Sequence, residues 1–205
     1  MSSPRRTRNP RGAGGRLREE LIEAASKLLE TLDGQESLSL RAVARAAGIA
    51  PQSVYLHFDD RRALLSAVYE VRFAELGSRL AAVTDPDPAT RLRRICHAYC
   101  DYGYTHPGHY RVLFSTAGMP GWEPTDAALP GLPVFRMLVD AVAATGSADP
   151  TATAACLWTG MHGLIVLRQD RPSFPWPDAE VLLDTLVDAH LYAANHARAE
   201  RDSAT

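Results

Sequence analysis

The chain has 205 residues, enough for one domain of ordinary size and a small second one. Hydrophobic residues make up 46 % of it, which excludes general disorder, and no stretch approaches the roughly 20 apolar residues that cross a bilayer. The formal net charge of −2 hides an asymmetry: residues 1–62 hold 11 basic and 8 acidic side chains, whereas the remainder holds 11 basic and 16 acidic, so a basic front end precedes an acidic body.

Residues 1–15 carry Arg5, Arg6, Arg8 and Arg11 with no acid, among Ser, Pro and Gly, and read as a flexible basic arm able to neutralise phosphates. From Leu17 the pattern turns helical: Leu17, Leu21, Ala25, Leu28, Leu29 and Leu32 recur three and four apart, up to a break at Asp33-Gly34. Ser39 then stands as the cap of a short amphipathic helix through Leu40, Val43, Ala44 and Ala47, which Gly48 ends. A third short helix opens at Pro51 and turns Val54 and Phe58 inward. Asp59 or Asp60 can cap a fourth, with a buried stripe of Leu64, Leu65, Val68, Val71 and Leu76. Further helices are expected near 88–105, 108–116, 131–144, 150–169 and 178–198, separated by Gly- and Pro-rich breaks, and no period-2 strand runs occur. The expected fold is all-α, with about nine helices: an N-terminal three-helix unit over 16–62 and a helical domain over 63–205.

Function concentrates in residues 39–58, two short helices joined by a turn with one glycine. That arrangement lets the second helix stand out and enter a major groove. Its outward residues are Pro51, Gln52, Ser53, Tyr55, Leu56 and His57. Gln52 can bond an adenine edge, and Pro51 or Leu56 can meet a thymine methyl. Tyr55 and His57 offer rigid donors for phosphate oxygens, Arg61 can hold another phosphate, and Arg41 is long enough to reach a guanine edge. A plain three-helix packing element would share the spacing but would not need the Tyr-x-His-Phe continuation at 55–58 or a basic arm upstream.

Ala-Val-Ala-Arg-Ala-Ala-Gly-Ile-Ala at 42–50, Val-Tyr-Leu-His-Phe at 54–58 and Asp-Asp-Arg-Arg-Ala-Leu-Leu at 59–65 together resemble the N-terminal domain of the TetR (tetracycline-repressor) family. The resemblance implies a dimer that binds a palindromic operator and leaves it when a ligand enters the second domain. It implies phosphate contacts from Tyr55, His57 and Arg61, and base reading by Arg41, residues 51–53 and Leu56. Two features depart from the family pattern: Ala50 replaces the usual capping Ser or Thr, and Asp59 and Asp60 make the surroundings of Arg61 less basic. Farther on, Trp158, His162 and Gly163, followed by Phe174-Pro-Trp-Pro177, resemble the C-terminal domain type of this family named for its Trp, His and Gly. That implies a four-helix bundle between subunits, with Gly160 and Gly163 allowing close helix approach and Val181, Leu182, Leu186, Ala189 and Tyr192 as a dimer or core stripe.

A ligand pocket is expected between residues 90 and 170, with Tyr102, Phe114, Trp122, Met137, Trp158, Met161 and His162 as candidate walls for an apolar or aromatic effector. For each of these taken singly, plain core packing is the simpler reading. Cys96, His97 and Cys100 form the one metal-like cluster, to which His106 or His109 could add a ligand; buried thiols are the simpler reading, and no metal or cofactor is expected. An odd count of three cysteines builds no disulfide framework, and no charged-then-apolar leader opens the chain, so a cytoplasmic location is expected. The reading is a DNA-binding repressor, with a dimer, operator DNA and a small effector as partners and no catalytic residues. The alternatives are a helical enzyme and a DNA binder without sequence choice. Against the enzyme, there is no phosphate loop, nucleophile elbow or suitably spaced carboxylate pair.

Overall fold

The computed structural model describes residues 14–31, 38–114 and 129–203, and side chains as far as Tyr192. Among these residues there are nine helices and no strand. The basic arm, Leu32, Asp33-Gly34 and Trp122 lie outside the described residues.

The N-terminal unit is three helices around one small core. Helix α1 (Gly14–Thr31) buries Leu21, Ile22, Ala25 and Leu29. Helix α2 (Leu40–Ala46) starts where the Ser39 hydroxyl accepts a bond from the Ala42 amide at 3.2 Å, satisfying a donor that a helix start leaves open. Gly48 takes φ +68, the left-handed conformation that reverses the chain, and the Ile49 amide bonds back to the Ala44 carbonyl. Helix α3 (Pro51–Val54) begins on a proline whose missing N–H costs nothing there, and Ala50 before it supplies no side-chain cap. It is shorter than the spacing predicts: Tyr55 to His57 form a turn that delivers Phe58 to the core.

Helix α4 (Arg61–Ala81) is capped by Asp60, whose carboxylate accepts from the Ala63 amide at 2.7 Å. It runs unbroken from the three-helix unit into the body, crossing the expected boundary at 62/63 and packing on α1. The stripe of α4 differs from expectation at one place. Val71 is 41 % exposed, and Arg72 takes the inward position.

The body comprises α5 (Pro88–Thr105), α6 (Pro107–Phe114), α7 (Leu132–Ala144), α8 (Pro150–Asp170) and α9 (Ala179–Ser203). Asp87-Pro88 and Asp149-Pro150 start α5 and α8 in the same way, the Asp capping the Thr90 and Ala152 amides and the Pro fixing the first turn. Helix α6 crosses back to pack on α1, so the body touches the N-terminal unit along two helices, α4 and α6. On α8, Gly160 sits where a Cβ would lie 2.7 Å from the Leu186 side chain, so the predicted close approach is that of α8 to α9 within one chain. Gly163 does not share in it: a Cβ there would meet nothing. The stripe expected on α9 splits. Leu183 and Val187 are buried and Leu186 half-buried, whereas Val181 and Tyr192 are 59 % and 67 % exposed and Ala189 is exposed.

Candidate nucleic-acid interface and internal cavity

The second helix of the pair is held from below and open above. Val54 and Phe58 are buried, and the Arg18 guanidinium lies 5.3 Å over the Phe58 ring. With those anchors fixed, Pro51, Gln52, Tyr55 and Leu56 are exposed, Leu56 to 83 % and Tyr55 to 52 %. Ser53 and His57 are half-buried at the edges of the same surface. Arg41 on α2 is exposed, and Arg61, half-buried, opens α4. Leu56 and Tyr55 stand side by side, largely uncovered by the other described residues.

Beneath this surface a polar cluster joins the three-helix unit to the body. Arg72 of α4 is 7 % exposed; its Nε donates to the Ser26 hydroxyl of α1 at 3.0 Å and its Nη1 to Glu75 at 3.0 Å, while Nη2 reaches Glu23 of α1. His109 of α6 bonds Glu30 of α1 through Nε2 at 2.8 Å, and the Arg111 guanidinium donates to the Glu30 carbonyl. Tyr102 is buried here, stacked on His106 and beneath Arg79, with its hydroxyl unpartnered.

On the other side of α6 lies a cavity of about 400 Å³. Helix α4 contributes Tyr69, Phe73 and Leu80, and α5 contributes Ile95 and Tyr99. Leu113 and Phe114 come from α6, Val134, Phe135 and Leu138 from α7, and Trp158 and Met161 from α8. Of the candidates chosen from sequence, Phe114, Trp158 and Met161 are on the wall. Tyr102 and Met137 are not: Tyr102 turns toward Arg79 of α4, His106 at the end of α5 and His109 of α6, and Met137 is half-buried against the core. His162 stands behind the wall, its Nδ1 2.7 Å from the Tyr110 hydroxyl and its ring against Phe114. The walls from α4 and α7 and Tyr99 had no sequence signal beyond ordinary amphipathic spacing.

The metal-like cluster resolves into unrelated pairs. Cys96 and Cys100 are buried in α5, and burial pushes the Cys96 thiol up to about 12 and the Cys100 thiol higher. His97 bonds Asp184 of α9 at 2.9 Å, and Arg93 bonds Asp184 at 2.8 Å and also reaches Asp188. The His97 and Arg93 bonds hold Asp184 below the usual carboxylate range and tie α9 to α5. Among the described residues no His, Cys, Asp and Glu group is arranged to hold a metal ion. None of the described helices is long and apolar enough to cross a membrane.

Two histidines give the molecule a pH dependence. Burial holds His109 and His162 below their ordinary 6.5, Arg72 reinforcing this at His109 against the opposing pull of Glu30 and Glu75. Between their folded values and 6.5 the unfolded chain binds more protons, so stability falls as pH drops through that window. Thermal unfolding is expected at a lower Tm at pH 5.5 than at 7.5, with the difference reduced in the His109→Gln, His162→Gln double variant. An equal or higher Tm at pH 5.5 would contradict the assignment.

An exposed four-residue helix on a buried two-helix footing, continued by one long helix into an all-helical body, defines a helix-turn-helix DNA-binding protein. Residues 21–68 match the model of the bacterial regulatory proteins of the tetR family, and residues 92–190 match that of the tetracyclin repressor-like C-terminal domain. The chain belongs to the TetR family, whose members are DNA-binding transcription regulators. It superimposes on a protein of unknown function from Rhodococcus sp. RHA1 with a TM-score of 0.72 and 23 % identity, over 94 % of this chain and 98 % of that one. A TetR family transcription regulator from Marinobacter aquaeolei VT8 gives 0.70 and 22 %, over 88 % and 98 %. At such identities the likeness is one of fold. Nucleoid occlusion factor SlmA of Vibrio campbellii is 25 % identical over 104 residues, 50 % of this chain and 53 % of that protein. The chain therefore spans about half the length of the curated relatives it matches.

Proposed function

We propose that this regulator is a cytoplasmic, dimeric repressor that binds a palindromic operator through α3 and the turn after it, and leaves the operator when an uncharged small molecule fills the cavity between α4 and α8. The observation that carries the proposal is the course of α4. The helix that begins at Arg61, three residues beyond the anchor Phe58, is the helix whose Tyr69, Phe73 and Leu80 wall the cavity. A ligand that shifts this wall shifts the base of the recognition helix, and a twofold operator tolerates little change in the spacing of its two readers. Gln52, Ser53, Pro51, Leu56 and Arg41 read bases; Tyr55, His57 and Arg61 hold phosphates. Phe114, Trp158 and Met161 contact the effector, and no catalytic step is assigned.

Dimerisation is supported by the outer faces of α8 and α9. Cys156, Thr159 and Leu167 on α8 are exposed, Gly163 beside them opens on empty space, and Val181 and Tyr192 extend the patch on α9. A second copy packed on these faces would give a twofold pair of recognition helices. The nucleoid role in the name of the curated relatives is not carried over, because the likeness stops at half of each chain.

The test is selection of bound fragments from genomic DNA, followed by footprinting, together with sedimentation of the free protein. A discrete protected palindrome bound by a dimer is the expected result. Equal affinity for unrelated sequences, falling steeply with salt, would favour a binder without sequence choice. A monomer, or no binding at low salt, would overturn the proposal.

A further inference from the structure

One line of hydrogen bonds runs behind the cavity wall, and its direction is fixed at the Trp158 end. The Trp158 indole N–H can only donate, and it donates to the Tyr99 hydroxyl at 3.0 Å. The Tyr99 and Tyr110 hydroxyls are 2.9 Å apart, and Tyr110 is 2.7 Å from His162 Nδ1. Burial favours the neutral imidazole at His162, and with its proton on Nε2 that ring accepts at Nδ1. In that tautomer Tyr110 donates to His162, and Tyr99 donates to Tyr110. The one proton of each hydroxyl is spent, and the Trp158 N–H is spent as well. Tyr99, a wall residue, keeps one oxygen lone pair. No Lys, Arg, His, Asp or Glu is among the described wall residues, so among them an ionised guest would lose its hydration without gaining a counter-charge. Phe114 and Phe135 each meet the Trp158 ring, at 6.2 and 6.0 Å, and give the wall aromatic faces and edges against which another ring packs edge-on or offset.

We propose that the cavity selects an uncharged aromatic molecule of the phenol class, whose hydroxyl donates to the Tyr99 oxygen. This rests on the cavity being the effector site and on His162 carrying its proton at Nε2. At about 400 Å³ the space has room for two fused rings. Along this line, a guest that only accepts hydrogen bonds, such as an ether or ketone of the same shape, would have to break the Trp158–Tyr99 or Tyr99–Tyr110 bond to find a donor. A carboxylate guest would find no counter-charge among the described wall residues.

The experiment is calorimetric titration of the full chain, free of DNA, at pH 7.5 with 2-naphthol, 2-methoxynaphthalene and 2-naphthoate. The expected result is 2-naphthol binding about tenfold more tightly than its methyl ether, the size of one net hydrogen bond, and no measurable binding of 2-naphthoate. In Tyr99→Phe the preference for naphthol should shrink to about threefold or less, while in Tyr69→Phe, which changes the other wall hydroxyl, it should persist. Equal affinity for naphthol and its ether, a preference lost in Tyr69→Phe and kept in Tyr99→Phe, measurable naphthoate binding, or no binding of any probe overturns the proposal. The comparison in the unaltered protein holds even if Tyr99→Phe fails to fold. Adding the probes to the operator complex separates this inference from the repressor reading. Naphthol that binds selectively but does not release DNA keeps the pocket chemistry and removes ligand release; release by ether and naphthol alike does the reverse.

Discussion

Replacing Tyr55 by Ala is expected to weaken operator binding by roughly 30-fold or more, and by the same factor on every DNA sequence. Tyr55 is 52 % exposed, so its loss leaves the core of the three-helix unit intact and the melting temperature nearly unchanged. Its place beside fully buried Val54 fixes its backbone, and a tyrosine ring has few rotamers to lose. A hydroxyl donated to a phosphate oxygen is a hydrogen bond to a charged group, worth about 1–2 kcal/mol at each half-site, so a dimer loses about 2–4 kcal/mol. Gln52→Ala is expected to behave differently: a modest overall loss with preference relaxed at one position in each half-site. Fluorescence anisotropy on the operator and on a panel of single-base variants measures both. A Tyr55→Ala protein that binds as tightly as the parent, or whose loss depends on one base pair, would mean that the helix docks in another orientation.

The helix starts were legible because each is written within four residues. Asp60, Asp87 and Asp149 cap the amide three residues on, and Pro88 and Pro150 follow two of them directly. Gly48 was legible for the same reason, a left-handed turn being local. The inward place of Arg72 was not, because an apolar count passes over a guanidinium whose partners Ser26 and Glu23 lie 46 and 49 residues away. The cavity stands between these cases. Phe114, Trp158 and Met161 could be named as large apolar side chains of the body, but Tyr69, Phe73 and Leu80 face it only because α4 packs beside α7. On α5, Tyr99 and Tyr102 have the same chemistry three residues apart, and tertiary packing alone turns one to the cavity and the other to Arg79.

Arg72→Met is expected to lower stability by about 2–3 kcal/mol, which in a chain of this size is a fall in Tm of roughly 5–10 °C. The side chain is 9 % exposed and serves three partners on two helices, so its removal strands Ser26 and leaves Glu23 and Glu75 only the exposed cations Lys27 and Arg79. The full cost of a broken buried ion pair is not reached, because Glu23 keeps 48 % and Glu75 30 % of its side-chain surface in water. At Glu23, partial burial pushes the carboxyl up, yet the Arg72 bond and charge, with Lys27, outweigh this and hold it below 4.5. A depressed carboxylate stabilises the fold above its unfolded value and ceases to do so as pH falls through its folded value. Arg72→Met should therefore lose part of the parent's acid sensitivity below about pH 4.5 as well as its stability at neutral pH. Adding Ser26→Ala to Arg72→Met should cost less than Ser26→Ala alone adds to the parent, since the stranded hydroxyl is then gone. The consequence for regulation follows from where the cluster sits. Arg72 lies between the wall residue Phe73 and the helix that carries the three-helix unit, so Arg72→Met should bind effector normally while effector lowers operator affinity less than in the parent. A Tm within about 2 °C of the parent, with effector response unchanged, would mean that apolar packing alone holds α1 to α4.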